Sequence, residues 1–245
     1  MREWMGAEVT LSLGTIALGM LVGRLCVWVA SWLPAVLEYR WQRDARELLG
    51  LGLGKPLDLR LTGASRTEVW IVQIGCAGLS LVVTLDFGAS LQTLFSLLLT
   101  WCLLTLSLID RQHHLLPDVL VIPGLWVGLA LNSFGVFTTL LEAFWGAVIG
   151  YVSLWSVYHL VKFVTGKESL GAGDFKLLAL IGAWGGWQVV PCTVAGSLLI
   201  AASLTVYLRL VENGANSVNM PFGPSLSLAG WAVFIAGTLS HHVQH

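Results

Sequence analysis

The chain is predicted to be all-α, a polytopic membrane bundle of about eight transmembrane helices with its N-terminus on the periplasmic side. Three observations predict this. Of 245 residues, 56% are hydrophobic and only 11% charged, against about 25% charged in an ordinary soluble domain. The mean hydropathy is +0.78. Apolar stretches of roughly 17–25 residues recur, each long enough to cross a hydrocarbon core of about 30 Å.

The first apolar segment covers 8–33. Its flank carries Glu3 and Glu8 beside Arg2, and the apolar run continues past any cleavage-like site, so it reads as a retained span rather than a signal peptide. A polar stretch, 34–68, follows with Arg40, Arg43, Arg46, Lys55, Arg60 and Arg66. The remaining segments are 69–88, 90–109, 119–137, 142–165, 175–190, 191–209 and 223–241, where the two meeting at Pro191 read either as separate helices or as one broken segment. Runs this long and continuous are helical rather than barrel strands.

Basic residues set the orientation. With 34–68 cytoplasmic, alternation puts 110–118, 166–174 and 210–222 on the same side. Those loops and their flanks hold Arg111, Lys162, Lys167, Lys176 and Arg209, which brings eleven of the thirteen Lys and Arg residues to one face. The exceptions are Arg2 and Arg24. A net charge of −1 gives no reason to expect a nucleic-acid partner. Cys26, Cys76, Cys102 and Cys192 all lie in apolar stretches without a CxxC pair, so they read as packing residues rather than disulfide or zinc ligands.

Two loops bring acids to the ends of apolar helices. In LIDRQHHLLPDVLVIPGL, Asp110 closes one span and Asp118 opens the next; in GKESLGAGDFKLLALIGAWGGW, Asp174 stands at a span boundary. An ionisable group at membrane depth is costly and therefore a functional candidate. Asp110 and Asp174 are 64 positions apart, but parity places them on one face. Two carboxyls sharing a site hold one proton between them, because both cannot ionise cheaply. Such a pair suits amide hydrolysis, with the ionised acid activating water and the protonated one polarising the carbonyl. His113 and His114 lie nearby, but no Ser or Cys stands in a motif that would partner them. In Gly171-Ala172-Gly173-Asp174 the glycines are expected either to adopt conformations closed to other residues or to admit a close neighbour.

The run Asp110…Pro117-Asp118…Leu120-Val121-Ile122-Pro123…Asn132, the block Gly166-Lys167-Glu168-Ser169-Leu170-Gly171-Ala172-Gly173-Asp174-Phe175-Lys176, and Pro221-Phe222-Gly223-Pro224 carry a family resemblance. Together they resemble bacterial type IV prepilin peptidases, the GxGD-type intramembrane aspartyl proteases. The resemblance spans about residues 90–230. It implies that Asp110 and Asp174 are the catalytic pair. It makes Asp118, Glu168, Gly171, Gly173 and Lys176 candidates for substrate binding or loop support. The plainer readings are a helix N-cap for Asp118, a solvated charge for Glu168, and for Lys176 a topology-setting charge meeting lipid phosphates.

The resemblance further implies an endopeptidase of the bacterial inner membrane, with its site at the cytoplasmic face. Its expected partners are the lipid bilayer and a prepilin or type II secretion pseudopilin whose leader it removes. Proteolysis takes no cofactor. Many such enzymes also methylate the new N-terminus with S-adenosylmethionine, and many hold zinc on two CxxC pairs in the first cytoplasmic loop. Here that loop has no cysteine, so no metal is expected and methylation is left open. Residues 1–68 are read as the first transmembrane helix plus this degenerate loop, a candidate methyltransferase part, and 69–245 as the transmembrane peptidase domain. The competing readings are an ion- or proton-coupled transporter and a catalytically silent pilin-binding scaffold. Against the transporter, the acids gather on one face and no internal repeat is visible.

Overall fold

The computed structural model describes residues 2–50, 65–166, 171–211 and 221–242, and among them it contains eight helices and no strand. These are α1 (Arg2–Leu48), α2 (Arg66–Phe87), α3 (Leu91–His113), α4 (Asp118–Ser133), α5 (Leu140–Thr165), α6 (Ala172–Gly185), α7 (Val189–Val211) and α8 (Gly223–His242). Each matches one apolar segment of the sequence. Five of them (α1, α2, α3, α5 and α7) are long and apolar enough to cross a membrane. The chain is thus a multi-pass, all-helical membrane protein. It divides into two compact units, Met1–Leu85 and Asp86–His245.

In the first unit, α1 does not stop at the polar boundary expected near residue 34. It runs on through Pro34 to Leu48. Its 47 residues amount to roughly 70 Å at 1.5 Å per residue, more than twice the hydrocarbon thickness. The extension is rich in Leu, Glu, Gln and Arg, strong helix formers that need no apolar stripe to stay helical. α1 and α2 pack through glycine: a Cβ on Gly19 would lie 2.7 Å from the Ala77 backbone, and one on Gly23 2.8 Å from that of Gln73. Cys26 and Cys76 are buried beside this contact, and all four cysteines are free thiols. Lys55 and Arg60 lie outside the described residues.

The second unit is built around α6. Nearly every residue from Asp174 to Trp184 is buried, as expected of a helix that is apolar all round. α4, α5, α7 and α8 all pack on it. The α5–α6 contact is the tightest, because Gly146 and Gly182 meet backbone to backbone with no room for a Cβ on either. At the end of α6 away from Asp174, Asn132 donates to the Ala183 and Trp184 carbonyls at 2.9 and 3.0 Å and accepts from the Phe137 and Thr138 N–H groups. Trp184 is fully buried and donates to the Gly124 carbonyl at 2.9 Å, whereas Trp187 is exposed.

Pro191 breaks no helix. α6 ends at Gly185, capped by Gly186 with a φ of +82°, and Pro191 sits in the first turn of α7. There its missing N–H costs nothing. The two segments are therefore separate helices.

Candidate active site

Asp110 lies in the last turn of α3 and Asp174 in the first turn of α6. They are 7% and 6% exposed, a rarity for carboxylates. α8 packs against both α3 and α6, and its first turn reaches Asp110. The Gly223 N–H donates to Asp110 Oδ2 at 3.0 Å in a fully buried contact. The Gly171 N–H donates to Asp174 Oδ2 at 3.3 Å. Both acids therefore meet the electropositive start of a helix, α8 for Asp110 and α6 for Asp174. The segment that leaves α3 after Asp110 touches the start of α6, Leu116 on Gly173 and Asp118 on Lys176, so both acids lie at one end of the unit.

The connecting segments explain the convergence. α3 ends at His114, which takes a left-handed conformation (φ 50°) and donates its N–H to the Asp110 carbonyl at 2.9 Å. This reversal turns Leu115–Pro117 back across the bundle. Leu116 then rests on the start of α6, where a Cβ on Gly173 would lie 2.7 Å from the Leu116 Cβ. Of the two expectations for the glycines, close approach is the one seen, and it applies at Gly173. Neither Gly171 nor Gly173 has a positive φ, and Gly171 caps α6 in ordinary extended backbone (φ −77°, ψ 143°) with room for a Cβ.

Asp118 is not the N-cap of α4. Pro117 holds that position with no side-chain cap bond, and Asp118 is the first helical residue. Its carboxylate is gripped by Lys176 Nζ at 2.7 and 2.8 Å, joining the starts of α4 and α6 beside the acid pair. Lys176 thus has a partner within the protein. Both side chains are partly exposed, so the pair contributes on the order of 0.2–1 kcal/mol. Asp118→Asn is therefore expected to lower the melting temperature by no more than about 4 °C, read from thermal unfolding of the purified protein. Glu168 and Lys167 lie outside the described residues.

Gly223 is the site residue that side-chain reasoning did not assign. Its contribution is a backbone N–H and an absent side chain, and a Cβ there would fall 2.5 Å from Asp110 Oδ2. The one signal for it was its place in Pro221-Phe222-Gly223-Pro224. Among the described residues, no group of three or more His, Cys, Asp or Glu is arranged to hold a metal ion.

A pair of buried carboxyls at one end of an apolar helical bundle defines a polytopic membrane protein with a two-acid site. Comparison with known proteins gives the family. The model described as the type IV leader peptidase family matches residues 97–206, a range that includes Asp110, Asp118 and Asp174. A Pseudomonas putida protein named prepilin leader peptidase/N-methyltransferase is 45% identical over 93% of this chain and 91% of its own length. Proteins of the same name from Stutzerimonas stutzeri and Pseudomonas aeruginosa are 41% and 42% identical, each over 91% of this chain and 89% of its own length. No solved structure matches. The chain belongs to the type IV leader peptidase family.

Proposed function

We propose that the chain is a membrane-embedded aspartic endopeptidase that removes the leader of type IV prepilins or type II secretion pseudopilins, with Asp110 and Asp174 as its catalytic pair. The observation that supports this is that two buried acids, 64 positions apart in sequence, stand at the same end of the bundle, where the segment after α3 packs on the start of α6. One carboxyl, ionised, takes a proton from water as the water oxygen adds to the scissile carbonyl; the other, protonated, gives its proton to the carbonyl oxygen. Burial sharpens both transfers by removing competing solvent.

Eight spans with the N-terminus periplasmic would put the acids at the cytoplasmic face of the bacterial inner membrane. The gathering of eleven of thirteen basic residues on that side supports this orientation. The peptidase part is assigned to 69–245 and an accessory part to 1–68. Asp118 and Lys176 brace the site, Gly171 and Gly173 shape the start of α6, and Glu168 is assigned to the substrate-facing loop. The relatives' names carry a second activity, N-methylation, for which S-adenosylmethionine would be the donor.

Mass spectrometry of a co-expressed prepilin tests both halves of the reading. A mature N-terminus at the end of a short basic leader is expected, heavier by one methyl group if the second activity is present. A leader that stays intact would refute the peptidase assignment.

A further inference from the structure

Three buried hydroxyls, those of Ser96, Thr193 and Ser227, have no hydrogen-bond partner among the described residues. Helical Ser and Thr usually bond back to a carbonyl three or four residues earlier. Thr100, Thr105 and Ser197 do so in this same unit, at 2.7, 2.8 and 2.8 Å. A buried hydroxyl left unpaired is unfavourable, and such groups are the usual seats of ordered water.

Ser227 is set apart by its position. Gly223, Ser227 and Trp231 follow one another at intervals of four, so they line one face of α8. Both outer members contact α3: Gly223 through its N–H on Asp110 at 3.0 Å, and Trp231 through Nε1 on Thr100 Oγ1 at 2.9 Å. Ser227 therefore stands on the α3-facing side of α8, about 6 Å along the axis from the residue that holds Asp110. The Cα–Cβ bond of a helical residue tilts toward the helix N-terminus, which here is toward Asp110. Ser227 is 3% exposed. One helical turn from Gly223, an unpartnered hydroxyl tilted toward Asp110 is placed to share a water with that carboxyl.

We propose that Ser227 is a further positioning residue of the site, whose hydroxyl holds the hydrolytic water against Asp110. The proposal rests on the two-acid reading above. It gives that reading an order: the water sits on Asp110, so Asp110 takes its proton while the oxygen adds to the scissile carbonyl, and the Asp174 proton passes to the carbonyl oxygen.

The test uses the full-length protein in liposomes and a synthetic peptide with a basic leader, a glycine and an apolar helical segment. Ser227→Ala is expected to lower kcat about tenfold, the effect of losing one hydrogen bond in the transition state. KM should stay within about twofold, and the melting temperature should not rise. Ser227→Thr, which keeps the hydroxyl, should return kcat to within about threefold of the parent.

A Ser227→Ala kcat within about twofold of the parent overturns the proposal; a dry orphan hydroxyl predicts that result together with a higher melting temperature. A threonine variant as slow as the alanine variant at equal melting temperature also overturns it, because the hydroxyl would then be irrelevant. Asp110→Asn separates the two readings. If it cuts at the parental rate, both fail. If it is inactive while Ser227→Ala is unaffected, Ser227 alone is lost.

Discussion

Asp110→Asn and Asp174→Asn are each expected to abolish leader cleavage, with uncut prepilin accumulating in the membrane. The expected loss is at least about 10³-fold in kcat, or about 4 kcal/mol of transition-state stabilisation. Asparagine nearly preserves the volume of aspartate and can still accept the Gly223 or Gly171 N–H. It can neither take a proton from water nor give one to a carbonyl. The fold should therefore survive while the chemistry stops, and the melting temperature should stay close to the parent's or rise, since a buried ionisable group has been replaced by a neutral one. Quantifying uncut and mature prepilin by gel, with the melting temperature measured beside it, checks both halves. Parental cleavage by both variants would mean that the acids are structural.

Gly223→Ala carries the second largest expected effect. Its added methyl group would lie 2.5 Å from Asp110 Oδ2 and 2.9 Å from Cγ, well inside van der Waals contact. The backbone of α8 is held by its packing on α3, α6 and α7. The carboxyl is the part that can move, and a shift of about 1 Å at a catalytic group can cost 10²-fold. A fall in kcat of about 10²-fold is expected, with KM within about threefold and the protein still folded. Gly75→Ala is the control, since no atom lies within 4 Å of the added Cβ. Steady-state kinetics on a synthetic prepilin peptide separates kcat from KM. A Gly223→Ala enzyme with parental kcat would show that the α8 start does not position Asp110.

Much of the architecture was legible because the bilayer imposes a simple rule. A chain whose backbone groups must be satisfied within hydrocarbon forms helices, and every predicted segment is helical, five of them long and apolar enough to cross the membrane. The misreadings came where hydropathy is not the deciding quantity. α1 continues to Leu48 because propensity, not apolarity, sustains residues 34–48. The α6–α7 break lies at Gly186 rather than Pro191, because a proline within a first helical turn is harmless while a positive φ ends a helix. Asp118 reads as a cap from its place after a proline, yet Lys176, 58 positions away, claims its carboxylate. No local pattern shows that partner.

The sequence by itself determined that this is an all-helical membrane protein, and it singled out Asp110 and Asp174, because charged groups beside apolar runs are conspicuous in so apolar a chain. Tertiary structure decided how those acids are held: Asp110 by the Gly223 N–H at the start of α8, Asp174 by the Gly171 N–H, with a glycine at 173 that lets Leu116 close in. The physical reason is that hydropathy is written in side chains one residue at a time. A main-chain donor and an absent Cβ are the same in every glycine, and they acquire meaning only from what is packed against them.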